Sequence, residues 1–271
     1  MPLSSLEDFS QHVLALYRLS RELPLECFQE AALAHLRGVL PFDSSMWGTA
    51  TSTPAGIDIH TIHLHEQPAE MLAAYEQIKH LDTAAQAVGL QPRNTLGFSA
   101  RDWFHRAEQA PLRDYGRRFG QANFFISAEH DLRTRFVHWL TLFRAREQAV
   151  CTAQERRLLA ALSPHVMQAL AFNRIAHLDR LKGQHTPRGS AALADMRGGA
   201  ALADMRGGAA LADARRGAAI ADARGVLYHA DADFEAALRA EWALWRGGHV
   251  LPAPLLAHLQ GGHARYLGAR V

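Results

Sequence analysis

The sequence predicts an α+β fold, in which helices flank a mostly antiparallel sheet. Two hairpin patterns support this prediction. Residues 44–51 and 57–65 are rich in strand-forming side chains and are separated by a Pro-Ala-Gly turn. Residues 123–128 and 135–143 form a second pair of apolar runs around a short polar turn. The apolar periodicity after residue 151 predicts a long helix that follows the sheet.

Helical patterns occupy most of the chain before and between these hairpins. In these segments apolar residues recur every three or four positions, which is the spacing of one helix face. The second helix follows Pro24 and stops near Gly38, the residue types that favour helix starts and ends. The remaining helices are predicted over 3–20, 69–79, 83–88, 101–106 and 112–119.

The long helix begins with Thr152 and Glu155, which have the S/T-x-x-E spacing of a capping box. Its apolar stripe comprises Leu158, Leu159, Leu162, Val166, Leu170, Ile175, Leu178 and Leu181. Pro164 removes one backbone hydrogen bond, so we expect a bend near Leu162–Ser163. The stripe is compatible with a helix that connects two modules and forms a homodimer interface, or seam, over Leu159–Leu181. It is also compatible with an ordinary core helix that lies on its own sheet.

Composition indicates a soluble protein of the cytoplasm. The 271 residues suffice for one or two domains. The formal charge of +2 does not indicate binding to nucleic acid or to an anionic membrane. Two cysteines do not form a disulfide framework, which favours a reducing compartment. No signal-peptide pattern and no membrane-length apolar run is present, so we expect no membrane association.

The sequence contains no motif that predicts catalysis or a cofactor. We find no nucleophile-elbow, zincin, Walker or dinucleotide-binding pattern, and therefore expect neither an enzyme nor a bound cofactor. The run IDIHTIHLH should place His63 and His65 on one strand face and His60 on the other. An H-x-H pair can start a metal site, so a metal- or haem-binding sensor or enzyme using these three histidines is the alternative function. Ordinary surface or half-buried imidazoles are the simpler interpretation.

Several phrases resemble a known family. They are LPFDSSMWGT, LRDYGRRFGQANFFIS, WLTLFRA and TAQERRLLAALSPHVMQAL. They look like the N-terminal sensory part of certain bacterial LuxR-type transcriptional regulators, over about residues 33–173. In these regulators the first domain resembles a GAF-like small-molecule sensor. A PAS-like segment follows it, and a helix-turn-helix ends the chain. Residues 217–254 look like the opening hairpin and first helix of the PAS-like segment.

The resemblance implies a small-molecule effector enclosed between one sheet face and the overlying helices. On the second hairpin, Phe125 is expected to share common faces with Val137, Trp139 and Thr141. The candidate ligand-binding residues are Trp47, His60, Trp103, Phe104, Phe125 and Trp139. Each of them also suits an ordinary hydrophobic core. The resemblance does not identify the effector.

The resemblance also divides the chain into a GAF-like sensory domain with its connector helix (1–182), a linker (183–216) and a partial PAS-like segment (217–271). The linker carries nine-residue repeats, AALADMRGG and its variants, which we interpret as an accidental expansion or a flexible spacer and expect to be poorly ordered. In the last copy Gly225 is the expected positive-φ residue. No helix-turn-helix pattern follows Pro254, so we expect a truncated regulator that does not bind DNA directly.

Overall fold

The computed structural model describes residues 5–53, 56–90, 95–130, 136–184, 219–221, 224–245 and 247–260. The chain divides into two compact units, Met1–Leu170 and Ala171–Val271. None of the described helices combines the length and the apolar character needed to cross a membrane. The predicted repeats at 191–216 lie outside the described residues, and the division at 182 and 216 stays a prediction.

The elements follow the predicted order. The helices are α1 (Leu6–Glu22), α2 (Leu25–Arg37), α3 (Glu70–Ile78), α4 (Thr83–Leu90), α5 (Ala100–Trp103), α6 (Ala110–Arg118), α7 (Ala153–Gln184), α8 (Ala232–Glu241) and α9 (Ala253–Gln260). The strands are β1 (Ser44–Thr53), β2 (Gly56–His65), β3 (Thr95–Ser99), β4 (Asn123–His130), β5 (Phe136–Arg144), β6 (Ala219–Ala221) and β7 (Leu227–Ala230). The α+β class with an antiparallel sheet, flanking helices and a long helix is therefore confirmed.

The described part of the first unit contains one five-stranded sheet in the order β2-β1-β5-β4-β3. All four neighbouring pairs are antiparallel. Both predicted hairpins form, and β1 joins them by pairing with β5. Strand β3 was not predicted; it adds to the free edge of β4 and ends directly at α5.

One face of the sheet packs against α1, α2 and α7, which enclose its apolar side chains, and we call it the packed face. Its apolar sheet residues Trp47, Phe125, Leu140 and Leu142 have no exposed surface. They form one cluster with helix residues that include Leu16, Phe28, Leu33, Leu36, Leu159, Leu162, Val166 and Leu170. The first half of the predicted dimer stripe is therefore buried within its own unit.

The opposite face is covered by α4, α5 and α6, and we call it the open face. Its buried sheet residues include Ala50, Phe98, Phe124, Val137 and Phe143. The helices contribute Ala84, Val88, Ala100, Phe104 and Leu112 to the same cluster. Several further apolar side chains of this face remain half-buried, as described below.

The hairpin register corrects one sequence prediction. Phe125 pairs with Leu142, whereas Trp139 pairs with Ala128. Because neighbouring residues of a strand point to opposite faces, Phe125 lies on the packed face with Leu142, and Trp139 lies on the open face with Ala128. The expectation that Phe125 shares a face with Val137, Trp139 and Thr141 was wrong, because the alternation does not fix the pairing register.

Helix α7 starts with the predicted capping box. The Thr152 amide donates to Glu155 Oε2 at 2.9 Å, and the Glu155 amide donates to Thr152 Oγ1 at 3.2 Å. The helix continues through Pro164 to Gln184. The predicted bend near Pro164 stays a prediction.

The second unit contains a small hairpin and two short helices. Strands β6 and β7 are antiparallel, and Gly225 between them has a φ of +81°, as predicted. Asp231 caps α8, since its side chain accepts from the Phe234 amide at 2.8 Å. The unit has its own apolar cluster, which includes Leu227, Phe234, Leu238, Leu251 and Leu255.

Candidate functional site

The open face is the part of the sheet whose apolar side chains are incompletely covered. Met46, Leu96, Ile126 and Trp139 project from four strands and are half-buried, as are Ile78, Leu81 and Ala87 from the overlying segment. On the packed face, by contrast, the half-buried members of the cluster come from helices and loops, and none comes from the sheet. The open face therefore combines an apolar surface with incomplete coverage by the helices.

Trp139 lies across this face because the strand beside it carries a glycine. Gly48 on β1 pairs with Trp139 on β5, and a Cβ atom at position 48 would overlap the indole ring. The same Cβ would also overlap the backbone oxygen of Thr61 on β2. The glycine therefore leaves room for the indole ring beside β1.

Polar groups concentrate in the helical layer above the open face. The Tyr75 hydroxyl donates to Asp82 Oδ2 at 2.7 Å. The other oxygen of Asp82 accepts from the amides of Ala84 and Ala85 at the start of α4. The Tyr115 hydroxyl donates to the Met71 carbonyl at 3.3 Å, and the rings of Tyr75 and Tyr115 are 5.8 Å apart. The hydrogen-bonded Tyr75 phenol and Asp82 carboxylate therefore lie in the helical layer over a largely apolar sheet face.

Both phenols remain protonated near neutral pH. Burial, followed by the charge of Asp82, raises the pKa of Tyr75 above its ordinary value. Burial also raises the pKa of Tyr115 to about 12, although a hydrogen bond with Gln121 acts in the opposite direction. Each hydroxyl therefore keeps its proton and donates it within the protein, Tyr75 to Asp82 and Tyr115 to the Met71 carbonyl.

A second polar group surrounds Thr83. Its hydroxyl accepts from Trp103 Nε1 at 3.0 Å and from Gln109 Nε2 at 3.2 Å. The Trp103 ring also packs edge-on against Phe98, with centroids 4.7 Å apart. These contacts fix the start of α4 to α5 and to the turn before α6.

The six residues predicted to bind a ligand do not lie together. Trp103, Phe104 and Trp139 belong to the open face, where Trp103 is 41% exposed. Trp47 and Phe125 are fully buried in the cluster of the packed face. His60 contacts Thr51 and Phe136, whose strand positions belong to the packed face.

The histidine strand differs from its prediction at one residue. His63 and His65 share a face, as predicted, and both contact the carboxylate of Glu30 on α2, at 3.1 and 2.7 Å. A bulge in β2 lies opposite Thr49 and Ala50, and His60 is its extra residue, between Ile59 and Thr61 in the register. Because a bulge shifts the alternation by one residue, His60 turns to the same face as His63, and its predicted orientation was wrong.

These histidines do not assemble a metal site. Burial acts to raise the pKa of Glu30, but hydrogen bonds from His65 and His63 outweigh it and leave the pKa lowered. The histidines thus hold a carboxylate against the sheet. Within the described ranges, no group of three or more His, Cys, Asp or Glu side chains is placed to hold a metal ion.

Sequence reasoning missed Tyr75, Asp82 and Tyr115. Asp82 carried a usable signal, since an aspartate immediately before a predicted helix is a favoured N-cap. The two tyrosines carried none, because single aromatic residues on amphipathic helices are usually part of the core. Their proximity follows from the packing of α3 beside α6.

The arrangement defines an α+β module with a five-stranded antiparallel sheet, one solidly packed face and one incompletely covered face. No protein-family model matches the chain, and no curated protein matches it. Among solved structures it is similar to the N-acylhomoserine lactone dependent LuxR family transcription factor CepR2 from Burkholderia cenocepacia. The identity is 20% and the TM-score 0.46, over 62% of this chain and 98% of that chain.

The chain is also similar to SdiA from Escherichia coli, with 15% identity and a TM-score of 0.44, over 63% of this chain and 69% of that chain. A third similar structure is the phycoerythrobilin-bound GAF domain of a cyanobacterial phytochrome, with 16% identity and a TM-score of 0.39, over 65% and 98% of the two chains. These likenesses concern the fold.

Proposed function

We propose that the chain is a ligand-sensing regulatory region of a LuxR-type transcriptional regulator and binds its effector on the open face. The observation that carries the proposal is the contrast between the two faces of one sheet. The packed face has fully enclosed aromatic and leucine side chains, whereas Met46, Leu96, Ile126 and Trp139 remain half-buried. A surface of this kind gains free energy when an apolar molecule covers it.

The effector in this proposal is a small molecule with an apolar body and a hydrogen-bonding group. Half-buried apolar side chains supply the contact area, and the Tyr75–Asp82 pair supplies two acceptor oxygens in the helical layer. Of the six residues predicted from the sequence, the proposal retains Trp103, Phe104 and Trp139. SdiA has been solved with octanoyl-rac-glycerol, and this molecule has the required division into apolar and polar parts.

In this proposal, a structural change caused by ligand binding passes through β4 to α7. Ile126 and Ala128 belong to the open face, and Ser127 between them faces the other way. The Ser127 hydroxyl contacts the Ser163 hydroxyl of α7 at 2.6 Å and accepts from Thr95 Oγ1 of β3 at 2.9 Å. A ligand that moves Ile126 would therefore act on a strand directly bonded to the long helix.

Thermal and denaturant unfolding of the full chain with octanoyl-rac-glycerol, and with an N-acylhomoserine lactone in parallel, tests the proposal. At about 100 times the Kd, a ligand of the folded state should raise the free energy of unfolding by about 2.7 kcal/mol. Tyr75→Phe should weaken this binding by about tenfold, because it removes the donor to Asp82.

Tyr17→Phe is the matched control for this variant. It also removes one half-buried phenol, whose hydroxyl contacts His165 Nδ1 at 3.1 Å beside the packed face. We expect Tyr17→Phe to keep the full response to ligand. Equal loss in both variants, or no stabilisation of the wild type by either molecule, would argue against a site on the open face.

The finer parts of the proposal concern assembly and location. In this proposal the described residues bind the effector and do not bind DNA directly. A homodimer through this helix would have to use surface beyond Leu170 such as Phe172, which is 43% exposed, because the seam residues up to Leu170, and Leu178 after them, are buried. Light scattering on the full chain tests this assembly. The free thiols of Cys27 and Cys151 agree with a cytoplasmic location.

A further inference from the structure

Two histidines on neighbouring helices of the packed face contact each other directly. The Nδ1 atom of His12 on α1 lies 3.2 Å from the Nε2 atom of His35 on α2, and the two ring centroids are 5.0 Å apart. The same His35 nitrogen is 3.3 Å from the backbone oxygen of His12. Both side chains are half-buried. This pair of imidazoles therefore forms part of the contact between α1 and α2.

The positions of the acceptors determine where the pair carries its protons. A carbonyl oxygen only accepts hydrogen bonds, so we assign the donor to the Nε2–H group of His35 and the acceptor to Nδ1 of His12. His12 is then neutral, and any further proton on this ring must enter at Nδ1. When both rings are charged, two N–H donors face each other and the hydrogen bond between the rings is lost. The contact therefore accommodates one positive charge but not two.

The surroundings of His35 oppose a positive charge on its ring. Burial, followed by the charge of His12, lowers the pKa of His35, and Arg18 on α1 acts in the same direction. The contact with the His12 backbone only partly opposes these effects. Further titratable side chains nearby on these two helices, or on α7 beside them, are Asp8, Tyr17, Arg37 and His165. One of these four is an acid, so groups that carry or can take up positive charge predominate.

We propose that the His12–His35 contact is a pH-sensitive device that weakens the attachment of α1 to α2 in mild acid. The contact contributes its full stability above the ordinary histidine pKa of 6.5, and this contribution is lost as the pH falls through the lowered folded pKa of His35. Helix α1 brings Phe9, Val13 and Leu16 to the cluster of the packed face, so a weaker attachment opens that cluster more often. The device is separate from the effector site on the open face.

NMR titration of the histidine Cε1–H signals tests the proposal on the full wild-type chain. The His35 signal should titrate with a midpoint below pH 6.5, because its proton enters a half-buried pair next to other positive charges. In His12→Gln the side-chain oxygen can still accept from His35 but carries no charge, so the His35 midpoint should rise toward 6.5. His80→Gln, at an exposed histidine outside the pair, should leave the His35 midpoint unchanged.

Denaturant unfolding of the full chain between about pH 7 and pH 5 measures the effect on stability. Each proton that the unfolded chain binds in excess changes the unfolding equilibrium constant by about tenfold per pH unit. His35→Gln keeps a donor toward His12 but takes up no proton, so it should lose stability less steeply than the wild type, whereas His80→Gln should match the wild type. A wild-type His35 midpoint at or above 6.5, an unchanged midpoint in His12→Gln, or an equally steep loss in His35→Gln and the wild type would each overturn the proposal.

Discussion

Gly48 illustrates how one residue of the sheet sets the shape of the candidate site. The position needs no unusual backbone conformation, and its requirement is spatial, because the Trp139 ring occupies the volume of a side chain. The glycine and the tryptophan are 91 residues apart in sequence and become neighbours only through the pairing of β1 with β5. Any side chain at position 48 must displace the indole ring or open the strand pair.

We therefore predict that Gly48→Ala lowers the free energy of unfolding by about 1 to 3 kcal/mol, the usual cost of an overpacked site. It should also weaken binding at the open face, since Trp139 is displaced. Gly38→Ala is the matched control, because Gly38 at the end of α2 has a helical φ of −68° and room for a methyl group. Equal stability of the two variants in denaturant unfolding would contradict the role of Gly48.

Residue-level prediction from the sequence succeeded where a local rule determines the conformation. The Thr152–Glu155 capping box and the positive φ of Gly225 both depend on residues close in sequence, and both are observed. His60 was misplaced because one extra residue in β2 reverses the alternation beyond it. No local sequence feature marks a bulge at that position.

Helix α7 is joined to the sheet at its first turn by an ion pair. Arg144 at the end of β5 donates to both carboxylate oxygens of Glu155, at 2.5 and 3.3 Å, and its Nε donates to the Pro41 carbonyl at 2.9 Å. The guanidinium also lies 4.9 Å from the centroid of Phe125. Because Arg144 is only 9% exposed, loss of the carboxylate would leave a buried charge without its partner.

We predict that Glu155→Gln costs about 1 to 3 kcal/mol of stability at neutral pH. Burial acts to raise the pKa of Glu155, but hydrogen bonds from Arg144 and Thr152 leave it below the ordinary value of 4.5. The ion pair therefore stabilises the fold fully above that value, and its contribution is lost as the pH falls through the lowered folded pKa.

The free energy of unfolding, measured against pH, should fall less steeply in acid for the variant than for the wild type. Glu147→Gln, at an exposed glutamate, should keep the wild-type profile, and matching profiles for the two variants would exclude the proposed role.

At the level of elements, the sequence predicted both hairpins and the long helix, because their apolar patterns extend over six or more residues. Strand β3 was missed because it has only five residues with Gly97 at its centre. Gly97 packs there against Cys151 and Arg156, so tertiary contact determines this strand and local propensity does not. The strand register could not be predicted from the alternation of side chains either, and Phe125 was consequently assigned to the wrong face.

In the first unit as a whole, the two sheet faces differ in how completely helices cover them. Alternation along the strands identifies two sets of side chains, but it does not reveal which set is fully enclosed. The six predicted ligand residues were therefore divided between the faces, and Tyr75, Asp82 and Tyr115 were overlooked. Coverage depends on how several helices pack together, which no single segment encodes.

Hydrogen exchange of the full chain, measured by mass spectrometry with and without octanoyl-rac-glycerol, tests most directly whether the open face binds the effector. A ligand held there should slow amide exchange in α3 and α4, because covering their apolar contacts suppresses local opening. Exchange in α1 and α2 on the packed face should change little. Slower exchange confined to α1 and α2, or no change in any segment at a saturating concentration, would contradict the account.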